Sequence, residues 1–294
     1  MCGIAGFFDR NGFDATTGTQ LAKDMAKAII HRGPDDAGVW VDDAAGIALA
    51  HRRLSIVDLS AAGHQPMLSA SGRYILTYNG EIYNHAELRT ALEASGNGYD
   101  WRGHSDTETV LACIEVYGLE AALQKFIGMF VIALWDQQEN ALYLARDRIG
   151  EKPLYFGRQN NIWLFGSELK ALRVHHGFTS AINRDALCLY LRHNYIPAPH
   201  SIYEGIGKLP PGSYVRLDAH TIDAVPVPFW TLDDKVSNGK ANAFADSEAE
   251  ALDNLDKVLS RAVGLQMQAD VPLGAFLSGG VDSSLIVALM AEQS

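Results

Sequence analysis

Met1-Cys2-Gly3-Ile4-Ala5-Gly6-Phe7 opens the chain, and the place of its cysteine governs how the rest is read. Removal of the initiator methionine would make Cys2 residue one, with a thiol and a free α-amino group on the same residue. An α-amino group titrates near ~7.7–8.0, so at neutral pH a useful fraction can take the thiol proton, directly or through one water. A thiol beside a base is an activated nucleophile, whereas an isolated one titrates near ~8.5. Competing readings are a chance cysteine, a small buried residue on a first strand, or a palmitoylation site. The rest of the chain has to decide among them.

Of 294 residues, 48% are hydrophobic and 20% charged, a balance that supports one large or two smaller cores and excludes a disordered chain. The formal charge of -11 argues against a broad nucleic-acid or anionic-membrane surface and favours small-molecule chemistry. Cys2, Cys113 and Cys188 are far apart and lack metal-ligand spacing, which fits a reducing compartment without a disulfide framework. Cys113 and Cys188 lie in helical apolar patterns and are expected in the core. No basic stretch followed by an apolar one opens the chain, and the longest apolar run, 126–135, is too short to span a bilayer. A cytoplasmic protein is expected.

Short β-rich runs alternate with amphipathic helical ones over the first two hundred residues, without an internal repeat. Strands are predicted over 3–8, 39–41, 47–51 and 74–78, then over 129–135, 141–145, 154–156 and 162–165, with a helix over 21–30. Asn84 with Glu87, and Ser105 with Glu108, have the spacing of helix-capping pairs. Two strand groups with helices nearby imply two packed sheets covered by helices, an α+β arrangement occupying 2–217. Residues 218–246, rich in Asp, Pro, Ser, Asn and Gly around Phe229-Trp230, read as an interdomain connection. In 247–294, Ser247 with Glu250 opens a helix to about 268, whose stripe is Leu252, Leu255, Val258, Leu259 and Val263. A strand over 273–277, a turn and a final helix follow. One strand with two helices cannot bury its faces, so this second domain is expected to be incomplete, and the stripe under-buried.

Ser278-Gly279-Gly280-Val281-Asp282-Ser283-Ser284 joins that strand to the helix, so backbone N–H groups, hydroxyls and a helix dipole converge as they do in anion sites. It lacks the Gly-Lys-Ser/Thr ending of the usual P-loop. The heptamer resembles the pyrophosphate loop of ATP pyrophosphatases. Together with Cys2-Gly3-Ile4, His31-Arg32-Gly33-Pro34-Asp35, Arg53-Leu54-Ser55-Ile56-Val57-Asp58, Asn79-Gly80-Glu81-Ile82-Tyr83-Asn84 and Arg146-Asp147-Arg148-Ile149-Gly150, it stands in the order found in glutamine-hydrolysing asparagine synthetases of the bacterial B type. The resemblance covers essentially the whole chain. It implies an N-terminal-nucleophile glutamine amidotransferase sandwich, followed by the opening of an α/β ATP-pyrophosphatase domain.

On that resemblance, Cys2 attacks the side-chain amide of glutamine, with its own α-amino group as base, and Asn79 and Gly80 form the oxyanion hole. Arg53 holds the glutamine α-carboxylate. Arg52 stays open on physical grounds alone; the resemblance selects the arginine before Leu54, and strand alternation turns its neighbour away. Leu54, Ile56 and Val57 line the pocket, and Glu81 and Asp106 receive the α-ammonium. Asp106 also suits a plain helix start, and Arg32 reads equally as a helper of the thiolate or as a loop staple. ATP would meet Leu277, Ser278, Gly279, Gly280, Ser283 and Ser284, with Asp282 on Mg²⁺. Aspartate is the default acceptor; relatives amidate other carboxylates in polysaccharide and peptide biosynthesis, and Tyr195-Ile196-Pro197-Ala198-Pro199 resembles a segment many share. A stand-alone glutaminase and a non-catalytic relic are the other readings, and a homodimer is compatible with all of them.

Overall fold

The computed structural model of the chain describes residues 2–96, 99–245 and 247–294. Met1, whose removal the first-residue chemistry requires, and Asp246, the last residue of the expected connection, lie outside the described residues. The described strands are β1 (Gly3–Asp9), β2 (Asp36–Asp42), β3 (Ile47–Arg53), β4 (Met67–Leu68), β5 (Tyr74–Ile82), β6 (Gly128–Asp136), β7 (Ala141–Arg146), β8 (Tyr155–Gln159), β9 (Ile162–Gly166), β10 (Ile206–Lys208), β11 (Ser213–Leu217) and β12 (Val227–Pro228). The helices are α1 (Ala15–Ala28), α2 (His85–Ala94), α3 (Asp106–Tyr117), α4 (Leu119–Lys125), α5 (Leu169–Leu172), α6 (Arg184–His193), α7 (Leu232–Ala241), α8 (Glu248–Leu265) and α9 (Val281–Glu292). Two compact units emerge, one running to Ser55 and from Ser60 to Trp230, the other made of Ile56–Leu59 and Thr231–Ser294.

In the first unit two antiparallel six-stranded sheets, ordered β10-β8-β9-β1-β3-β2 and β12-β11-β7-β6-β5-β4, lie face to face. Alternation along each strand explains the layering. Ile4 and Phe8 of β1 meet Val131, Ala133 and Trp135 of β6 between the sheets, while Ala5 and Phe7 point outward to Ala22, Met25 and Ala26 of α1 and to Ile29 just after it. On the other outer face, Leu76, Tyr78 and Ile132 pack against Val110, Leu111 and Ile114 of α3. Strands covered on both sides read apolar throughout, which is why 3–8 and 129–135 stand out in the sequence. Phe7 and Phe8 are 2% and 1% exposed, each contributing on the order of 1.5–3 kcal/mol, and so anchor the strand that carries Cys2.

All eight strands expected in the first domain form, most of them extended by a residue or more. Strands β4, β10, β11 and β12 were not expected; they are short, and β4, β10 and β12 are sheet edges whose pairing comes from a partner strand rather than from their own pattern. Pairing continues past residue 217. The N–H groups of Phe229 and Trp230 both donate to the Gly212 carbonyl, at 2.8 and 3.1 Å, and Phe229 stacks on Phe130. Helix α1 starts earlier than expected because the Asp14 carboxylate accepts from Thr17 N–H. Neither Asn84 nor Ser105 caps through its side chain. Asn84 instead accepts from Ile127 N–H and donates to the Lys125 carbonyl. Cys113 is buried, but Cys188 is exposed, because α6 buries only Ala186.

The second unit is helical among its described residues, apart from loops. The expected strand over 273–277 is unpaired chain with Phe276 fully exposed; a strand closes its backbone hydrogen bonds only against a neighbour. Ser247 and Glu250 form a reciprocal capping box at the start of α8. Along its stripe Leu252, Leu255 and Val258 are 60%, 54% and 66% exposed, whereas Val263, where α8 meets α9, is 8% exposed.

Candidate active site

Cys2 precedes β1, the strand held between β3 and β9 by the registers Gly3↔Arg52 and Ala5↔Gly166. Its Sγ lies between both polar groups of Leu54, accepting from the N–H at 3.4 Å and facing the carbonyl at 3.6 Å. Burial pushes the Cys2 thiol above its ordinary value, against the pull of the Leu54 N–H; the Asp106 charge pushes it up and the Arg53 charge down. The thiol is therefore neutral at rest, in reach of charges of both signs.

The two adjacent arginines separate as strand alternation requires. Arg52 donates through Nε to the Gly33 carbonyl at 2.8 Å, and Arg53 through Nη1 to the Ser60 carbonyl at 3.0 Å. Gly63 is part of the same construction. A Cβ there would lie 1.9 Å from Nη2 of Arg53, so the buried guanidinium sits directly on a backbone that only glycine leaves open. Ile56 and Val57 follow in sequence but group with the second unit.

Strand β5 carries the next set, and it faces β1 and β3. Asn79 has the parity of Ile75, toward the space between the sheets, and is 1% exposed; its Nδ2 is buried and has no hydrogen-bond partner among the described residues. Such an orphan donor costs about 1–3 kcal/mol. At Gly80 a Cβ would lie 2.2 Å from the Met129 carbonyl, so the tight pairing with β6 leaves no room for a side chain. Asp106, the first residue of α3, is 8% exposed, and its Oδ2 accepts from the Tyr78 hydroxyl at 2.7 Å and from Ile82 N–H at 2.9 Å. It is thus tied to β5 and not merely a helix-start carboxylate. Burial raises Asp106 above the usual carboxylate range against those bonds. Glu81 is raised by burial and by Asp106, with Lys152 opposing. Two carboxylates held above their ordinary values would both be relieved by an incoming cation.

Arg32, left open in the sequence between thiolate helper and loop staple, is joined by two features that the sequence reading missed. Arg32 donates through Nε to the Cys2 carbonyl at 2.9 Å and through Nη1 to Glu168 at 3.1 Å. Lys152 is 4% exposed; burial lowers it, while Glu81, Glu151 and Cys2 pull it up. Its backbone is held by Arg146 and Asp147, the first two residues of a motif noted only for its order. Arg146 donates to the carbonyls of Lys152, Leu209 and Gly150 at 2.7, 2.8 and 2.7 Å, and Asp147 accepts from the N–H groups of Phe130, Ile149, Glu151 and Lys152. No signal in the local sequence distinguishes such a staple from a ligand site.

The Ser278 loop is a different kind of object. Leu277 is 62% exposed, Gly279 has φ +79°, and Gly280 caps α9 without a side-chain bond. The Ser278 and Ser283 hydroxyls meet at 2.9 Å, and those of Ser283 and Ser284 donate to the Gly280 carbonyl at 3.2 and 2.8 Å. Asp282 lies exposed in the first turn of α9. Among the described residues no group of three or more His, Cys, Asp or Glu side chains is arranged to hold a metal ion, and no helix is long and apolar enough to cross a membrane.

Residues 1–230 match the glutamine amidotransferase domain family. The chain belongs to that family. Residues 254–294 match the asparagine synthase family. Asparagine synthetase [glutamine-hydrolyzing] 1 of Bacillus subtilis is 37% identical over 99% of this chain and 44% of its own length. A putative asparagine synthetase [glutamine-hydrolyzing] 2 of Methanocaldococcus jannaschii is 34% identical, over 99% of this chain and 57% of its own. The chain thus spans about half the length of these relatives. Among solved structures, a glutamine phosphoribosylpyrophosphate amidotransferase from B. subtilis superposes with a TM-score of 0.57 at 17% identity, over 78% of this chain and 50% of that one. An allosteric regulatory enzyme of purine biosynthesis superposes with a TM-score of 0.58 at 19% identity, covering 78% and 49%. At those identities the likeness establishes the fold, an amidotransferase sandwich of two sheets flanked by helices.

Proposed function

We propose that the chain hydrolyses glutamine at Cys2, as the ammonia-releasing part of a glutamine-dependent amidotransferase of asparagine-synthetase type. The observation that carries this reading is the buried, unpartnered Nδ2 of Asn79, a donor that a developing oxyanion would satisfy. In the proposed course the α-amino group of a mature Cys2 takes the thiol proton, and Sγ attacks the glutamine side-chain carbonyl carbon. Asn79 Nδ2 and the Gly80 N–H stabilise the oxyanion. The C–N bond breaks as the amino group returns the proton, releasing ammonia and leaving a γ-glutamyl thioester. Water then cleaves the thioester to glutamate. Arg53 would hold the substrate α-carboxylate, and Glu81 and Asp106 its α-ammonium. A thiol raised by burial needs the adjacent base, which favours this course over attack by a standing thiolate.

For the whole protein the reading extends to amidation of an ATP-activated carboxylate, aspartate by likeness to the relatives, in the cytoplasm. In it 2–217, with the paired stretch that follows to 230, are the glutaminase domain, the rest of 218–246 the connection and 247–294 the opening of the synthetase domain. The Ser278 loop suits an anion, since an uncapped helix start leaves its N–H groups to a ligand. The residues that would meet the ATP phosphates are Leu277, Ser278, Gly279, Gly280, Ser283 and Ser284. Mg²⁺ commonly takes one or two carboxylates and completes its shell with phosphates and water, so Asp282 is a fitting but single contribution. Bound there, the metal would neutralise phosphate charge.

The test is glutamate release from glutamine by protein whose N-terminus has been established by intact mass, beside Cys2→Ala. The parent should turn over and the variant should not. Release persisting in Cys2→Ala near the parent level would overturn the reading.

A further inference from the structure

We infer that Glu168 is a positioning residue for the nucleophile, acting through Arg32 on the backbone of Cys2; this rests on the glutaminase reading above. Strand β9 ends at Gly166, and the next two residues continue its grip on the chain start. Ser167, fully buried, donates its N–H to the Ile4 carbonyl at 2.9 Å and accepts from Ile4 N–H on its hydroxyl at 3.0 Å. Glu168 then reaches the residue before. Its Oε1 accepts from Arg32 Nη1 at 3.1 Å, and Arg32 Nε donates to the Cys2 carbonyl at 2.9 Å. The stem of Arg32 lies over Gly3, where a Cβ would come 3.1 Å from its Cδ. Cys2 is therefore held at its carbonyl by Arg32 and at its sulfur by Leu54, while Ile4 is clamped by Ser167.

The carboxylate decides whether that first hold is firm. Arg32 comes from a single helical turn after α1, and its Nη2 is buried without a partner among the described residues. Glu168 is the anion that fixes which way the guanidinium faces. His31 Nε2 at 2.8 Å and Lys170 Nζ at 3.1 Å also lie on the same carboxylate, so it is gripped from three sides and stays in place. Burial alone would raise Glu168, but bonds from His31, Lys170 and Arg32 outweigh that and hold it at about 2. It is thus ionised wherever a glutaminase would work. Partly exposed ion pairs add little to stability, whereas a displacement of about 1 Å in a reacting group can slow a reaction about a hundredfold. The consequence of losing Glu168 should appear in turnover and not in folding.

The experiment compares parent, Glu168→Gln, Glu168→Asp, Arg32→Lys and the double variant Arg32→Lys/Glu168→Gln, all with the N-terminus verified by intact mass. Steady-state glutaminase kinetics and thermal melting are read together. Glu168→Gln should lower kcat about tenfold with KM for glutamine within about twofold and an unchanged melting midpoint. Glu168→Asp, charged but shorter, should fall between it and the parent. The double variant should lose no more than the worse single variant, because both act through one contact. Unchanged kcat in Glu168→Gln, a loss confined to KM, or losses that multiply in the double variant would overturn the positioning role while leaving the glutaminase reading intact. A parent that releases no glutamate would overturn both.

Discussion

Two turns carry the chemistry expected of this chain, and they are held in opposite ways. At the Cys2 entry to β1 the constraints come from far away: Leu54 on the sulfur, Arg32 on the carbonyl, with Gly63 under Arg53 and Tyr78 on Asp106 nearby. In the loop from Ser278 to Ser284 the side-chain hydrogen bonds close inside the loop itself, hydroxyl to hydroxyl and hydroxyl to the Gly280 carbonyl. The first turn is specified by the fold around it; the second is specified by its own seven residues. Consecutive motifs are easy to read in a sequence, yet only the first kind of turn has its reacting groups already bound in place.

Substitutions can break that comparison, beginning with the largest effect. Asn79→Ala removes the orphan amide without leaving anything behind unpaired, so kcat for glutamine hydrolysis should fall about 10²–10³-fold with little change in KM. A fall in substrate affinity instead would place Asn79 on the ground-state substrate. Gly63→Ala touches no substrate but puts a methyl where the Arg53 guanidinium lies, 1.9 Å from Nη2. Its expected signature is that of Arg53→Ala, a KM raised about tenfold with kcat less affected; kinetics matching the parent would mean that Arg53 is not anchored there for binding. The smallest effect is expected on α8. Leu255→Ser acts on a side chain 54% exposed, so melting should shift by no more than the equivalent of about 0.5 kcal/mol, with glutaminase rates unchanged. A large loss in either would overturn the reading of Leu255 as a side chain that neither the core nor the active site depends on.

The sheets were legible because β1, β3, β5, β6 and β7 are covered on both faces and carry mainly apolar stretches. The edges β4, β10 and β12 were not, since an edge pairs by its neighbour's demand. Capping signals proved ambiguous for a definite reason. The side chains of Ser247 and Glu250 have no other hydrogen-bond partner among the described residues and form the reciprocal cap, whereas Glu108 is taken by Arg102 and Gly103 N–H groups and Asn84 by the chain at Lys125 and Ile127. The 273–277 run has strand composition but no partner strand. Within the site, residues lying in motifs could be named in advance. Gly63, Lys152 and Glu168 could not, because their value comes from what the fold brings to them from elsewhere in the chain.

The position of β1 at the middle of its sheet has a consequence for synthesis. Cys2 is made first, but its strand is flanked by β3 and by β9, which ends at Gly166. A nascent chain shorter than that has no second neighbour for β1, and neither Ser167 nor Glu168 to hold what precedes it. The start of β1 is therefore held in full only after residues 167 and 168 have been made. The interval before then leaves it open to the exopeptidase that would expose the α-amino group, and it keeps the thiol from being assembled with its clamps before the surrounding protein exists.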